Sequence, residues 1–209
     1  MNFLQKQFLS ALKEAPEQTV LMSRRNCHME GLDSVVVSVN ENGSLVRAFF
    51  AHENHKMYPD AKGQWSIGVH NHKYDLTLSQ LSGTSWNRRY SLTGIKSLMT
   101  DSTLNNVYEY SSGLGKEMAA VLKDTKYLMH ERATEIRQIH IHYTQLHTVE
   151  VRKGKKASWL VEEGIVRQET TTLVSHLLPE ELLKDTLYQG FESKQEVIDM
   201  VGSFWREEK

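Results

Sequence analysis

The apolar positions at the start of the chain recur at a helical interval. Phe3, Leu4, Phe8, Leu9 and Leu12 are interleaved with Lys6, Lys13 and Glu14, which predicts an amphipathic helix over residues 2–14, stopped before Pro16. From about residue 34 the interval falls to two. SVVVSV leads through Asn40-Glu41-Asn42-Gly43, a turn signal, into LVRAFFA as a partner strand. Residues 59–63 form a loop, residues 65–72 and 76–81 are two strands on either side of Lys73–Asp75, and residues 89–92 a further one.

Residues 116–128, after the Gly113/Gly115 loop, are compatible with a short helix. Alternation returns in IRQIHIHY. HTVEV then passes through Arg152-Lys153-Gly154-Lys155-Lys156 into ASWLVEEG, a pattern that predicts a hairpin. Pro179, with Glu180 and Glu181 behind it, opens a helix over 179–191, and Ser193-Lys194-Gln195-Glu196 has the spacing of a capping box ahead of VIDMVGSFW. The expected architecture is one mainly β domain over 1–209. Its sandwich or barrel spans about 34–165, with terminal helices at about 2–14 and 179–206.

Composition narrows the function. At 39% hydrophobic and 24% charged, with 12 Gly and 3 Pro in 209 residues, the chain is neither disordered nor low-complexity. A formal net charge of −1 argues against a broad nucleic-acid surface or a polybasic membrane anchor. No apolar run is long enough to span a bilayer. The single cysteine, Cys27, forms no internal disulfide, so a cytoplasmic setting is expected. The unusual feature is ten histidines.

Three of them suggest a site. In Trp65-Ser-Ile-Gly-Val-His70-Asn-His72 a period of two sets Trp65, Ile67 and Val69 on one face and Ser66, Gly68, His70 and His72 on the other. Two imidazoles so placed reach a single metal ion, with the small Ser66 and Gly68 leaving room beside them. His147 opens a later strand and shares a face with Val149 and Val151, an interior side. Neutral imidazole suits several metals, so the ligands alone do not choose one.

On these residues the chain resembles the cupin superfamily. Gly63, six residues, His70-Asn71-His72, Asp75 and Gly83 follow the order of the family's first motif, and His147 with its following strand looks like the second. The resemblance implies a cupin-type double-stranded β-helix, or jelly-roll barrel, with an N-terminal helix and C-terminal helices, and metal ligands at His70, His72 and His147. The pattern departs from the family in two places. Leu76 and Thr77 stand where the family has its Glu, and Tyr143-Thr-Gln-Leu146 replaces Pro-x-Gly before His147. Either Asp75 is a displaced fourth ligand or the site has three histidines, the preferred form. A three-histidine site is similar to that of the cupin thiol dioxygenases, which implies Fe(II) first, with Zn, Ni or Mn as alternatives.

The other candidates carry bland alternatives. His140 and His142 either line the same cavity or face solvent opposite Ile139 and Ile141; the second is preferred. His52 and His55 lie three apart and suit loop surface better than a zinc motif, and His130 has no partner at a ligand spacing. Glu117 stands where a phosphate loop ending in Gly115-Lys116 needs Ser or Thr. The 152–156 cations fit a solvated hairpin tip. Arg88 and Arg89 each suit either a surface ion pair or a substrate carboxylate, and Tyr90 a proton-moving role. Cys27 lies beside Arg24, Arg25 and His28, cations that favour a thiolate, but no base is evident for it.

The functional expectation is a mononuclear non-haem iron dioxygenase acting on a small polar, thiol-bearing metabolite, with Arg89 and Tyr90 assisting at the metal. A non-catalytic ligand-binding cupin and a cupin isomerase or lyase are the alternatives. The expected partner is a small molecule, not nucleic acid or membrane, and the resemblance implies a homodimer.

Overall fold

The computed structural model describes residues 1–66, 68–96, 102–113, 116–177 and 189–206. It is mainly β, with two antiparallel sheets and helices at the ends. Helix α1 (Phe3–Glu14) begins with a capping box: Asn2 Oδ1 accepts from Gln5 N–H, and Gln5 Oε1 accepts from Asn2 N–H. A single turn, α2 (Glu17–Val20), follows Pro16. At the other end, Ser193 Oγ accepts from Glu196 N–H ahead of α3 (Lys194–Arg206). The Glu196 carboxylate turns instead to Glu192 N–H and Arg25, so that box is half formed. Most of the expected 179–191 helix lies outside the described residues, and its end, Gln189–Gly190, is a strand.

The strands are β1 (Arg24–Arg25), β2 (Leu32–Val39), β3 (Leu45–Ala51), β4 (Val69–His70), β5 (Tyr74–Gly83), β6 (Ser85–Thr93), β7 (Ser102–Gly113), β8 (Lys116–Glu135), β9 (Gln138–Ile141), β10 (Leu146–Val151), β11 (Ala157–Val166), β12 (Thr171–Ser175) and β13 (Gln189–Gly190). One sheet has the order β13-β1-β2-β3-β11-β5-β9; the other, β10-β4-β12-β7-β8-β6, closes on itself through β6 and β10. The predicted β2–β3 hairpin is present, and Gly43 at φ +79° closes its turn.

Three expectations are corrected. Residues 116–128 are not helical: they belong to β8, which pairs with β7, Lys116 opposite Gly113. Their local pattern is ambiguous, and the long partner strand decides it. HTVEV and ASWLVEEG are not a hairpin, because β10 pairs with β4 and β6 whereas β11 pairs with β3 and β5. Residues 152–156 therefore carry the chain from one sheet to the other. The expected strand over 65–72 shrinks to Val69–His70, because Gly68 at φ +79° breaks the extended run. A Cβ there would lie 2.7 Å from Val174 O, so Gly68 serves close approach to β12 rather than room in front of the histidines.

Apolar packing forms layers. Phe8, Leu12, Val197, Val201, Phe204 and Trp205 of the helices cover Val35, Ala48 and Phe50 on the outer face of the seven-stranded sheet. The inner face, with Phe49, Leu76, Leu78, Trp159 and Val161, packs with Val151 and Val149 of the closed sheet. Trp65, Val69, Val107, Leu128 and Val174 form a third cluster. No described helix is long and apolar enough to cross a membrane.

Candidate metal centre

The site is built where β4 meets β10. His70 and His147 are direct antiparallel partners, and cross-strand partners present their side chains on one face. His72 lies two residues beyond His70, just past the end of β4. It is held there by its own N–H donating to Tyr143 O (3.2 Å) and by Gln168 Nε2 donating to its carbonyl (2.9 Å). Between them, Asn71 pairs with Thr172 of β12 through both its backbone N–H and its side-chain oxygen.

These constraints bring one ring nitrogen from each histidine to within 4.8 Å of the other two. The Nε2 atoms of His72 and His147 are 2.7 Å apart, and His147 Nδ1 lies 2.7 Å from Asn87 Oδ1. His147 is buried; His70 and His72 are half-buried. His70 Nδ1 is buried and has no hydrogen-bond partner. Burial is the first cause that lowers the pKa of each ring, and His72 is pushed down further by the neighbouring charges of His70, His147, Arg47 and His28. The rings are therefore neutral near pH 7 and offer lone pairs, the form in which imidazole binds a metal.

The remaining candidates separate by strand parity. Tyr74, Leu76 and Leu78 share the inner face of β5, which leaves Asp75 on the opposite one. Its carboxylate accepts from Tyr143 N–H (2.9 Å) and lies 3.7 Å from Arg167 Nε, and it is not part of the three-histidine group. Asp75 is thus a brace for the loop that holds His72. Arg89 stands opposite His147 across β6 and β10, with Nε buried and 3.8 Å from the Glu131 carboxylate. Tyr90, one residue on, faces the other way into the Trp65 cluster, where burial pushes its hydroxyl up to about 12. This placement sets Tyr90 on the face opposite His147, with its ring 5.4 Å from that of His130.

On β9 the isoleucine side is the buried one, and His140 and His142 are exposed. His130 is exposed as well. His55 is not loop surface: it is 1% exposed, its Nδ1 accepts from Met57 N–H and its Nε2–H donates to Lys155 O. His52 pairs with Asp33 at 2.9 Å. Arg88 pairs with Glu150. Of the 152–156 cations, Arg152 and Lys153 lie over the Trp86 and Tyr58 rings, and Lys156 over Phe204. Burial pushes the Cys27 thiol up to about 11, which outweighs the nearby Arg47 and Arg24.

Sequence reasoning missed Asn87, Gln168 and a polar group on the facing sheet. Arg47 shares the inner face of β3 with Phe49. It is ion-paired with the buried Glu163 at 2.8 Å, and Tyr74, which stacks on His72 at 6.1 Å between centroids, bonds the same carboxylate. Glu163 also accepts from Leu45 N–H. The available signal was the parity of LVRAFFA, which sets one cation among inward-facing apolar residues. In comparisons with known proteins, no protein-family model and no curated protein sequence matches the chain.

Proposed function

We propose that the chain is a cupin-type protein that holds one divalent metal ion on His70, His72 and His147 and acts as a mononuclear non-haem iron dioxygenase on a small polar acid, in its sharper form a thiol-bearing one. The observation that carries this reading is the convergence of three imidazole nitrogens, from two paired strands and the residue beyond one of them, within 4.8 Å. The donor set fits an ion. Ligands in neighbouring positions about 2.1 Å from a metal lie roughly 3.0–3.4 Å apart, a few tenths of an ångström more than the 2.7 Å between His72 and His147 Nε2. The unpartnered His70 Nδ1 is a buried polar atom that calls for an explanation of this kind.

Held by the neutral rings of His70, His72 and His147, an Fe(II) ion would keep its full positive charge and would supply binding and activation of substrate and dioxygen. The chain itself contributes binding and orientation. Arg47 is a charge felt at His72, and its ion pair with Glu163 fixes the guanidinium on the facing sheet. Tyr74 walls one side of His72. Arg89, the cross-strand partner of His147 and 3.8 Å from Glu131, is the second cation proposed to assist with a substrate carboxylate.

The test is elemental analysis of protein purified without chelators, followed by dioxygen uptake with Fe(II) and a panel of thiol-bearing acids and catechols. About one ion per chain and uptake with the thiol acids is the expected result. An ion without uptake reduces the reading to a metal-dependent binder or isomerase, and no ion under any loading condition removes it.

A further inference from the structure

We infer that Asn87 is a positioning residue for this centre: its amide oxygen holds the His147 ring with the proton on Nδ1, so that the Nε2 lone pair is the one presented to His72. The inference rests on the metal-site reading but is carried by a different contact. Asn87 lies on β6, where the register pairs Arg89 with His147 and Asn87 with Val149. Asn87 and His147 are therefore diagonal neighbours on one face, within reach of each other. Both are buried, at 4% and 3% exposure, and the Oδ1–Nδ1 distance is 2.7 Å.

An amide oxygen only accepts, so the ring nitrogen facing it is the donor, and a neutral imidazole has one donor. The proton is thus confined to Nδ1, and Nε2 is left as an acceptor or ligand. Without Asn87 the buried ring is free to carry its proton on Nε2, the nitrogen 2.7 Å from His72 Nε2, and to rotate out of line. A partner that fixes tautomer and ring orientation this way typically changes metal affinity by about 10- to 100-fold.

The experiment uses the full chain and two readouts. In chelator-treated protein, imidazole 15N shifts report which His147 nitrogen carries the proton; Nδ1 is expected in the natural protein, and a mixture or Nε2 in Asn87→Leu. In parallel, Zn(II) affinity is measured by competition with a chromophoric chelator. About 10- to 100-fold weaker binding is expected for Asn87→Leu, with affinity recovered in Asn87→Asp, which restores an acceptor. A proton on Nε2 of the natural protein, or Zn(II) bound by natural and Asn87→Leu protein with equal measurable affinity, overturns the inference. If Asn87→Leu does not fold, the natural protein's 15N shifts and the Asn87→Asp affinity still decide it. Should the natural protein bind no Zn(II) while His147 carries its proton on Nδ1, the metal reading fails and the positioning of the ring by Asn87 stands.

Discussion

His147 and His70 face each other as direct partners in the short β10–β4 ladder, with ring centroids 5.5 Å apart. Side chains alternate along a strand, so a one-residue slip of either strand would send one ring to the opposite face and separate the pair. The clustering of the rings is a consequence of register.

Replacing either His70 or His147 with Ala removes one imidazole from the three-histidine group. Metal content of protein loaded with Fe(II) or Zn(II) and desalted is expected to fall from about one ion per chain to under roughly a tenth, as for a site that loses one of its few ligands. Elemental analysis measures this, and unchanged content in both variants would refute the site.

Asp75→Ala acts differently. It takes the acceptor from Tyr143 N–H and leaves the three histidines in place. A loss of about 1–2 kcal/mol in urea unfolding is expected for an unsatisfied, partly buried donor, with saturating metal content retained. Loss of the ion with unchanged stability would instead make Asp75 a ligand.

His55 predicts a pH dependence. Burial holds its pKa below the ordinary 6.5, against the opposing bonds to the Lys155 and Arg152 backbone. Below that pH the unfolded chain takes up a proton that the folded ring resists, so His55 stabilises the fold above about pH 6.5 and that contribution is lost as the pH falls. One such group supplies a slope of at most about 1.4 kcal/mol per pH unit. In urea titrations with chelator present, His55→Leu should flatten the decline between pH 6.5 and 5.

Gly68→Ala places a Cβ at φ +79°, 2.7 Å from Val174 O, on the residue that precedes β4. A destabilisation of about 2 kcal/mol or more is expected, the left-handed conformation alone accounting for roughly 1–2. Gly154→Ala, at φ +68° with open space around it, isolates the backbone part and should lose less. Equal losses in urea unfolding would mean that the approach to β12 is not tight.

The sequence made the strands legible where alternation was strong and partners were close. The spacing of Phe3 to Leu12 and the stop before Pro16 defined the first helix, the Asn40–Gly43 turn defined the β2–β3 hairpin, and the Val149/Val151 face identified His147 as interior. Partner choice was not local. Nothing in HTVEV or ASWLVEEG states that they belong to different sheets, and residues 116–128 become a strand only against β7. The three histidines were found because a period of two is a local property. Asn87, Gln168 and Arg47 were hidden because their roles come from neighbours 60, 96 and 116 positions away in the chain, at His147, His72 and Glu163.

After each strand that carries one of the clustered histidines the chain leaves the closed sheet, by 71–73 into β5 and by 152–156 into β11. These two joints stitch the histidine cluster into both layers, so neither layer slides without dragging one of its rings along. The tolerance of the protein to insertion is therefore expected to be lowest in these two short connectors, one of which carries His72, and relatives that keep the three rings together should keep their lengths even where their letters drift.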